Sequence, residues 1–154
     1  MTSCFPDLNV WLALSVPGHV HGANAWKWLR SLPDDITLIF SRQTQLGLLR
    51  LLTNRPAMGE YTLTLGKAWA VYDRWLDDPR VELYPEPRDL EAGFREVTAP
   101  FAALAASKMV GDCYLLAFAK HNHASLVTFD KALFDLARKH NCPAVLPRTS
   151  SAQR

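Results

Sequence analysis

A helix followed closely by a short buried strand is encoded between residues 111 and 130, and this unit constrains the fold more than any other part of the chain. Apolar side chains in its first half recur with a period near 3.6, which predicts a helix that opens at Asp112. Residues 124–129 form an apolar run with two β-branched side chains that ends abruptly at Asp130, as a buried strand does. Helix N-termini and strand C-termini share one edge of a parallel sheet, where such sheets bind their ligands. We therefore expect the two aspartates to lie close together.

Short strands and helices alternate along the rest of the chain in the same way. Strands are predicted near residues 4–6, 36–41, 81–85 and 143–146, in addition to 124–129. A turn or helix is predicted through Leu14, and helices are predicted over residues 21–32, 43–53, 62 or 64 to 76, 88–107 with a break at Pro100, 111–120 and 131–140. This alternation predicts an α/β fold, a three-layer α/β/α domain with a five-stranded, mainly parallel sheet. We expect that domain to cover residues 1–147 and a polar tail to cover 148–154.

The composition fits one soluble globular domain. The chain has 154 residues, of which 49% are hydrophobic and 21% charged. A net charge of +2 neither supports nor excludes nucleic-acid binding, because a nuclease needs only local basic side chains. Three cysteines without a metal-binding spacing indicate reduced, buried thiols, as expected of a cytoplasmic protein. The N-terminal residues do not resemble a signal peptide and no apolar run reaches transmembrane length, so we expect no membrane association.

A third aspartate has the same placement near the start of the chain. Asp7 ends the first predicted strand, and Asn9 follows as a residue that could support a site or simply form a turn. Aspartate is a leading N-cap residue, so each of the three acids alone is readily explained as a helix cap. Their repeated position at one edge of the sheet instead favours a shared site.

Three carboxylates at one edge repel one another and need a compensating cation to stay ionised together. Their hard oxygen atoms suit Mg²⁺ or Mn²⁺ rather than zinc. Such an ion can polarise a phosphoryl oxygen, generate hydroxide and stabilise a leaving oxygen, which is the chemistry of phosphodiester hydrolysis. No serine–histidine–aspartate order, phosphate-binding loop or dinucleotide-binding glycine pattern competes with this interpretation. The sequence therefore predicts Asp7, Asp112 and Asp130 as catalytic metal ligands.

Two further features outside the acids could carry a function. His19 and His21 form a His-x-His pair that could bind zinc, but no third histidine or cysteine lies nearby in the sequence. Lys108 closely precedes the second aspartate and could contact a phosphate, although a solvated surface lysine would look the same.

The predicted helix 43–53 contains a glycine whose role has two explanations. The helix is rich in leucine, including Leu46, and is expected to be largely buried. Its narrow polar stripe would face the same edge of the sheet and contains Gln43, Gly47, Arg50 and Asn54. A glycine inside a helix costs roughly 1 kcal/mol relative to alanine. Close approach of a ligand and close packing of a second helix explain Gly47 equally well.

Four segments together resemble the motifs of PIN-domain ribonucleases, and within them the VapC-type toxins of bacterial toxin–antitoxin pairs. The segments are Pro6–Leu12, Thr44–Arg50, Gly111–Ala117 and Leu126–Asp130. They stand in the right order, and the resemblance covers essentially the whole chain. It implies a metal-dependent endoribonuclease, with the three aspartates at the acidic metal-site positions and Thr128 at a polar position near them.

One position departs from the family pattern. VapC-type toxins usually carry a glutamate where this chain has Gly47, so one metal-site carboxylate is missing. Gln43 or Gln45 could offer an amide oxygen in its place, or a water molecule could fill the gap. The departure puts a second metal ion in question more than the first.

The resemblance also implies partners and supporting residues. The expected partners are an RNA substrate, a second copy of the chain in a homodimer, and a small VapB-type antitoxin whose C-terminal segment, often bearing an arginine, reaches the acids. Asn9, Gln45, Arg50, Lys108 and Thr128 are the candidates for supporting the site or contacting substrate.

Two alternative functions belong to other classes. A non-catalytic PIN-like module for RNA binding or protein interaction is made plausible by Gly47. A haloacid-dehalogenase-like phosphatase also places an aspartate at the end of its first strand. That chemistry requires Asp-x-Asp, however, and this chain has Asn9 at the second position.

Overall fold

Five parallel strands form the centre of the computed structural model, which describes residues 2–148. The strands are β1 (Ser3–Pro6), β2 (Thr37–Phe40), β3 (Val81–Leu83), β4 (Ser125–Val127) and β5 (Ala144–Val145). Their spatial order is β3-β2-β1-β4-β5, and every neighbouring pair is parallel. The predicted α/β fold with a five-stranded parallel sheet is therefore confirmed.

Helices connect the strands and cover the sheet on both sides. They are α1 (Leu8–Ser15), α2 (Gly22–Arg30), α3 (Arg42–Leu52), α4 (Arg55–Met58), α5 (Leu65–Leu76), α6 (Leu90–Thr98), α7 (Ser107–His121) and α8 (Lys131–Lys139). Short 3₁₀ turns follow α4 and α6, at Gly59–Tyr61 and Ala99–Phe101. No helix within residues 2–148 is long and apolar enough to cross a membrane.

The sheet separates two hydrophobic cores because successive strand residues point to opposite faces. Trp11 of α1 stacks on Phe40 on one face, with ring centroids 3.9 Å apart, and α1, α2, α3 and α5 complete that core. Phe5 packs against Phe118 of α7 on the other face at 4.7 Å, together with α6 and α8. Strands buried on both faces must be apolar throughout, which explains their short uninterrupted hydrophobic runs.

The chain order places a topological switch point between β1 and β4. From β1 the sheet grows outward through β2 and β3, whereas β4 and β5 lie on the other side of β1. The connections that leave β1 and β4 therefore lead away to opposite faces of the sheet. A crevice at the carboxyl ends of two such strands is the usual ligand site of open α/β sheets.

The prediction that a helix opens at Asp112 is wrong. Helix α7 begins at Ser107, so Asp112 lies in its second turn and caps nothing. The wrong start was predicted because a glycine such as Gly111 often marks a helix boundary. A single glycine inside a helix, however, lowers its stability by only about 1 kcal/mol relative to alanine. A 15-residue helix that packs six buried side chains into the core absorbs that cost. Asp112 still lies in the N-terminal half of α7, at the edge of the sheet that was predicted.

Two other expectations need qualification. The helix at 43–53 was expected to be largely buried, but Leu46 of α3 is 52% exposed and points away from the core. Of the predicted polar tail at 148–154, all but Arg148 falls outside the described residues.

Candidate active site

Two of the predicted acids follow neighbouring strands, Asp7 directly and Asp130 after two intervening residues, and each caps the helix that follows. Asp7 ends β1 and its Oδ1 accepts the Leu8 N–H of α1 at 2.6 Å. Asp130 follows β4 and its Oδ1 accepts the backbone N–H groups of Ala132 and Leu133 in α8, at 2.9 and 3.3 Å. Capping is therefore a real role of both residues. It uses Oδ1 of each carboxylate and fixes both carboxylates at the crevice between β1 and β4.

Thr128 joins these two acids into one network. Its buried hydroxyl donates to Asp7 Oδ2 at 2.9 Å and accepts the backbone N–H of Asp130 at 3.0 Å. The Asn9 side-chain amide donates to the same hydroxyl at 3.4 Å, while Asn9 Oδ1 accepts the Phe129 N–H at 3.3 Å. Thr128 and Asn9 thus lie beside the acids, and they fix the loop after β4 onto the start of α1.

Asp112 completes the cluster from α7, and its carboxylate has no compensating group. No hydrogen-bond donor or basic side chain within residues 2–148 pairs with it. Its partial burial, followed by the negative charges of Asp130 and then Asp7, raises the pKa of Asp112 to about 6. Burial also raises the pKa of Asp7, with a contribution from Asp130, against the hydrogen bonds from Thr128 and Leu8. The three carboxylates therefore lie within electrostatic reach of one another, on one side of the molecule.

The carboxylate oxygens of the three aspartates are suitable ligands for a hard divalent cation, although their arrangement is wider than a metal site requires. Across residues 2–148, no three side chains of histidine, cysteine, aspartate or glutamate are close enough together to hold a metal ion as they stand. Repulsion between like charges keeps uncompensated carboxylates apart. Within residues 2–148, the Asp112 carboxylate and Asp130 Oδ2 accept no hydrogen bond, so these oxygens are available to an ion. Oxygen donors of this kind match Mg²⁺ or Mn²⁺.

The unpaired acid predicts a stability effect that can be measured without RNA. The folded-state pKa of Asp112 is about 6 against an ordinary 3.8, so ionisation destabilises the fold as pH rises from about 4 to 6. Asp112→Asn should therefore raise the free energy of unfolding in chelator by about 1 kcal/mol at pH 7–8, a value reduced for solvent screening. The gain should vanish near pH 3.5, where both states of the wild type are protonated.

Urea titrations at the two pH values test this effect, with Asp73→Asn as an exposed control on α5. Added Mg²⁺ or Mn²⁺ should stabilise the wild type more than the variant. Equal stability of the variant and wild type at pH 7.5 would contradict the electrostatic strain at Asp112.

The structure favours close packing as the reason for Gly47. A Cβ built on Gly47 would lie 2.6 Å from Leu8 Cδ2, which is closer than non-bonded atoms approach. Leu8 stands next to Asp7, so an apolar side chain fills the space beside Gly47. Helix-to-helix packing between α1 and α3 therefore occupies the position where the resemblance led us to expect a carboxylate.

This packing can be tested by a double-mutant cycle. Gly47→Ala should change stability little in the wild type, because the gain in helix propensity is offset by displacement of Leu8. In a Leu8→Ala background the same change should stabilise by about 1 kcal/mol. Chemical denaturation gives the four values, and a coupling energy indistinguishable from zero would contradict the close approach.

The remaining candidates differ in their relation to the acids. Lys108 is exposed on α7 one turn before Asp112, on the same helix face. Gln43 at the start of α3 also lies beside Gly111, with its Nε2 3.8 Å from a Cβ built there. Gln45 is not brought to the acids: it is buried and bonds to Arg42 and Tyr72. Arg50 is exposed in the last turn of α3, away from the carboxyl edge of the sheet.

The two histidines of the His-x-His pair contact each other through the backbone of His21. The His21 N–H donates to His19 Nδ1 at 3.1 Å, and no third ligand joins them within the described part of the chain. His21 instead stacks on Phe129, the residue before Asp130. This contact is not visible in the sequence, because only the folded chain brings the loop after α1 to the end of β4. An aromatic residue between two polar site residues, Thr128 and Asp130, was the available signal.

Comparison with known proteins gives consistent relatives. The PIN domain family matches residues 4–139. Ribonuclease VapC41 of Mycobacterium tuberculosis is 43% identical over 130 residues, which covers 82% of this chain and 88% of that protein. Ribonuclease VapC39 of the same organism is 31% identical over 140 residues, covering 85% and 91%.

Solved structures show the same fold at low sequence identity. VapBC2 from Rickettsia felis, bound to a DNA fragment from its promoter, superposes with a TM-score of 0.68 at 14% identity, covering 94% of this chain and 98% of that one. FitAB bound to an IR36 DNA fragment gives 0.60 at 19% identity, covering 98% and 99%.

Proposed function

The chain belongs to the PIN-domain family and is a relative of the VapC ribonucleases, and we therefore propose that it is a VapC-type endoribonuclease toxin. It hydrolyses RNA phosphodiester bonds and depends on Mg²⁺ or Mn²⁺. The observation that carries the metal dependence is the uncompensated carboxylate of Asp112 beside Asp7 and Asp130. A substrate with one negative charge per phosphate would be repelled by these acids unless a cation stood between them.

Each acid has a distinct part in this proposal. Asp7, Asp112 and Asp130 would hold the ion, which supplies Lewis-acid activation of water and of the scissile phosphate when bound. Thr128 donates a hydrogen bond to Asp7 Oδ2, which favours the ionised carboxylate and fixes its orientation. Asp112 has no hydrogen-bonded partner in the described residues and can turn toward an ion without breaking an existing bond. The arrangement therefore combines two fixed acids with one adjustable acid.

RNA would approach along α7 rather than along α3. Lys108 is exposed one turn from Asp112, so its ammonium group is in position to contact a phosphate next to the scissile one. Arg50 lies at the far end of α3 and is a weaker candidate for substrate contact. Asn9 and Thr128 act on the acids and not on the RNA, because their side chains are engaged in the network between β1 and β4.

A small antitoxin of the VapB type is the proposed inhibitor. The structures of similar fold include VapBC2 and FitAB, each named as a two-component assembly. A cationic side chain inserted between Asp7, Asp112 and Asp130 would supply the positive charge that the cluster lacks. Homodimer formation is also proposed, because Leu46 and Val110 are more than half exposed on the two helices that border the site. Light scattering of the purified protein gives the oligomeric state directly.

A non-catalytic RNA-binding module is the second candidate, and one observation favours it. Leu8 packs against Gly47, the position where the resemblance led us to expect a fourth acid, so the site offers one carboxylate fewer than the family pattern implies. The phosphatase alternative has no such support. Asn9 bonds to Thr128 and Phe129 and supplies no second carboxylate beside Asp7.

Cleavage of total RNA decides between nuclease and module. Purified protein is incubated with 5′-labelled RNA in Mg²⁺, in Mn²⁺ and in chelator, and the new ends are mapped by sequencing. We expect discrete cuts with either ion and none in chelator. Equal cutting in chelator would refute metal dependence. RNA that is bound but stays intact with both ions would establish the module instead.

A further inference from the structure

Two aromatic rings stack at the rim of the acid cluster. The centroids of the His21 imidazole and the Phe129 ring lie 4.5 Å apart, with 14° between their planes. Phe129 directly precedes Asp130, and its N–H is held by Asn9 Oδ1. The same Asn9 contacts the Thr128 hydroxyl that orients Asp7. The stack is therefore fixed to the network that places the acids.

The outer member of the stack is exposed. His21 is exposed to solvent, whereas Phe129 is half-buried against the first core. No side-chain hydrogen bond or ion pair of His21 is present among residues 2–148. An exposed residue thus carries a flat ring stacked on the neighbour of Asp130, and within residues 2–148 the nitrogen atoms of that ring have no hydrogen-bond partner.

His19 holds the backbone of the residue that carries this ring. Its Nδ1 accepts the His21 N–H at 3.1 Å, and the two imidazoles lie 5.9 Å apart. Partial burial, together with the neighbouring His21, lowers the pKa of His19, so this imidazole remains a neutral acceptor at pH 7. The His19 side chain therefore fixes the backbone of the loop that carries the His21 imidazole.

We propose that His21 is a stacking platform for an unpaired RNA base next to the phosphate held at Asp7, Asp112 and Asp130. This inference rests on the proposed ribonuclease function. Proteins that bind single-stranded RNA stack its unpaired bases on exposed aromatic side chains, and such stacking tolerates any base because each has a π-face. The backing ring of Phe129 stiffens the platform and sets its distance from the acids. His21 is thus a positioning residue for the substrate and takes no part in bond cleavage.

Three variants separate stacking from other roles of His21. His21→Ala removes the ring, His21→Phe keeps a flat ring without nitrogen atoms, and His21→Gln keeps a polar group without a ring. His123→Asn is the matched control, because His123 is exposed before β4 at the opposite edge of the sheet. Asparagine tolerates the positive φ of 52° there. Thermal unfolding of all four variants shows that each is folded.

Two quantities are measured: the fluorescence of a base analogue in bound RNA, and the separate effects of each variant on the KM and the kcat of RNA cleavage. Single-stranded eight-nucleotide RNAs carry 2-aminopurine at each position in turn, and binding is followed in an Asp112→Asn background that is expected not to cut them. Stacking quenches the fluorescence at one position. We expect His21→Ala to abolish that quenching and to raise KM for cleavage on the order of ten-fold with kcat nearly unchanged. His21→Phe and His123→Asn should keep both the quenching and the KM.

Each outcome bears on a different claim. Unchanged quenching and KM in His21→Ala would overturn the platform, as would wild-type protein that quenches no position. Loss in His21→Phe with retention in His21→Gln would show hydrogen bonding by His21 and would also overturn stacking. Position-specific quenching with RNA that stays intact in every metal would support the platform and refute only the ribonuclease function.

Discussion

Replacement of Asp7 by asparagine is expected to lower RNA cleavage by about three orders of magnitude without unfolding the protein. A ligand of a catalytic ion contributes several kcal/mol to transition-state stabilisation, and 1.36 kcal/mol corresponds to a factor of ten in rate. Asparagine keeps one oxygen, which can accept the Leu8 N–H as Asp7 Oδ1 does, but its amide nitrogen cannot accept the Thr128 hydroxyl in place of Oδ2. It is also an equally good N-cap. The substitution therefore removes the charge of Asp7 from the proposed metal site together with the hydrogen bond from Thr128.

The measurement is kcat/KM for a labelled RNA in Mg²⁺ and in Mn²⁺. Asp89→Asn is the matched control, since Asp89 also directly precedes a helix but lies 3.5 Å from His121 at the C-terminal end of α7. The control should cleave like the wild type. Because burial raises the pKa of Asp7, loss of its charge should offset part of the stability that is lost with the Thr128 hydrogen bond, so we expect a folded variant with at most a modestly lower thermal midpoint. Near-normal cleavage by Asp7→Asn would remove the acid cluster from the mechanism.

The positions of Asp7 and Asp130 could be predicted because local sequence marks the ends of buried strands. An apolar run that stops at an acid predicts both the strand and the cap, and parallel topology then brings the acids to one edge. Asp112 was placed at the right edge with the wrong local geometry. The glycine before Asp112 indicated a helix start. Helix α7 in fact begins at Ser107, and packing of its buried side chains in the second core stabilises it despite the glycine.

Contacts between distant segments could not be predicted from local patterns. Leu8 packs on Gly47, and His21 stacks on Phe129, only because α1 and the loop after it lie across α3 and the end of β4. Propensity and periodicity describe a residue's own helix or strand and carry no information on its tertiary neighbour. The sequence accordingly left two explanations open for the glycine and suggested a metal for the histidines.

Removal of the Thr128 hydroxyl is expected to weaken both stability and activity. Thr128→Val keeps the shape of the side chain but leaves Asp7 Oδ2 and the Asp130 N–H without their shared partner. A buried polar group that loses its partner costs about 1–3 kcal/mol, so we expect stability to fall by about 2 kcal/mol. Groups that orient metal ligands contribute about 10- to 100-fold to activity, and we expect a loss in that range.

The pH dependence of cleavage distinguishes this effect from a loosened core. The Thr128 hydroxyl lowers the pKa of Asp7 against the raising effect of burial. Without it that pKa rises further, so Asp7 becomes protonated at higher pH and activity is lost earlier as pH falls. Thr128→Ser keeps the hydroxyl, so its cleavage activity should fall over the same acidic pH range as that of the wild type, and most of the activity should remain. If the acid side of the pH–activity profile is not shifted in Thr128→Val, the hydroxyl bond does not matter at this position. An equal loss of cleavage activity in Thr128→Ser would lead to the same conclusion.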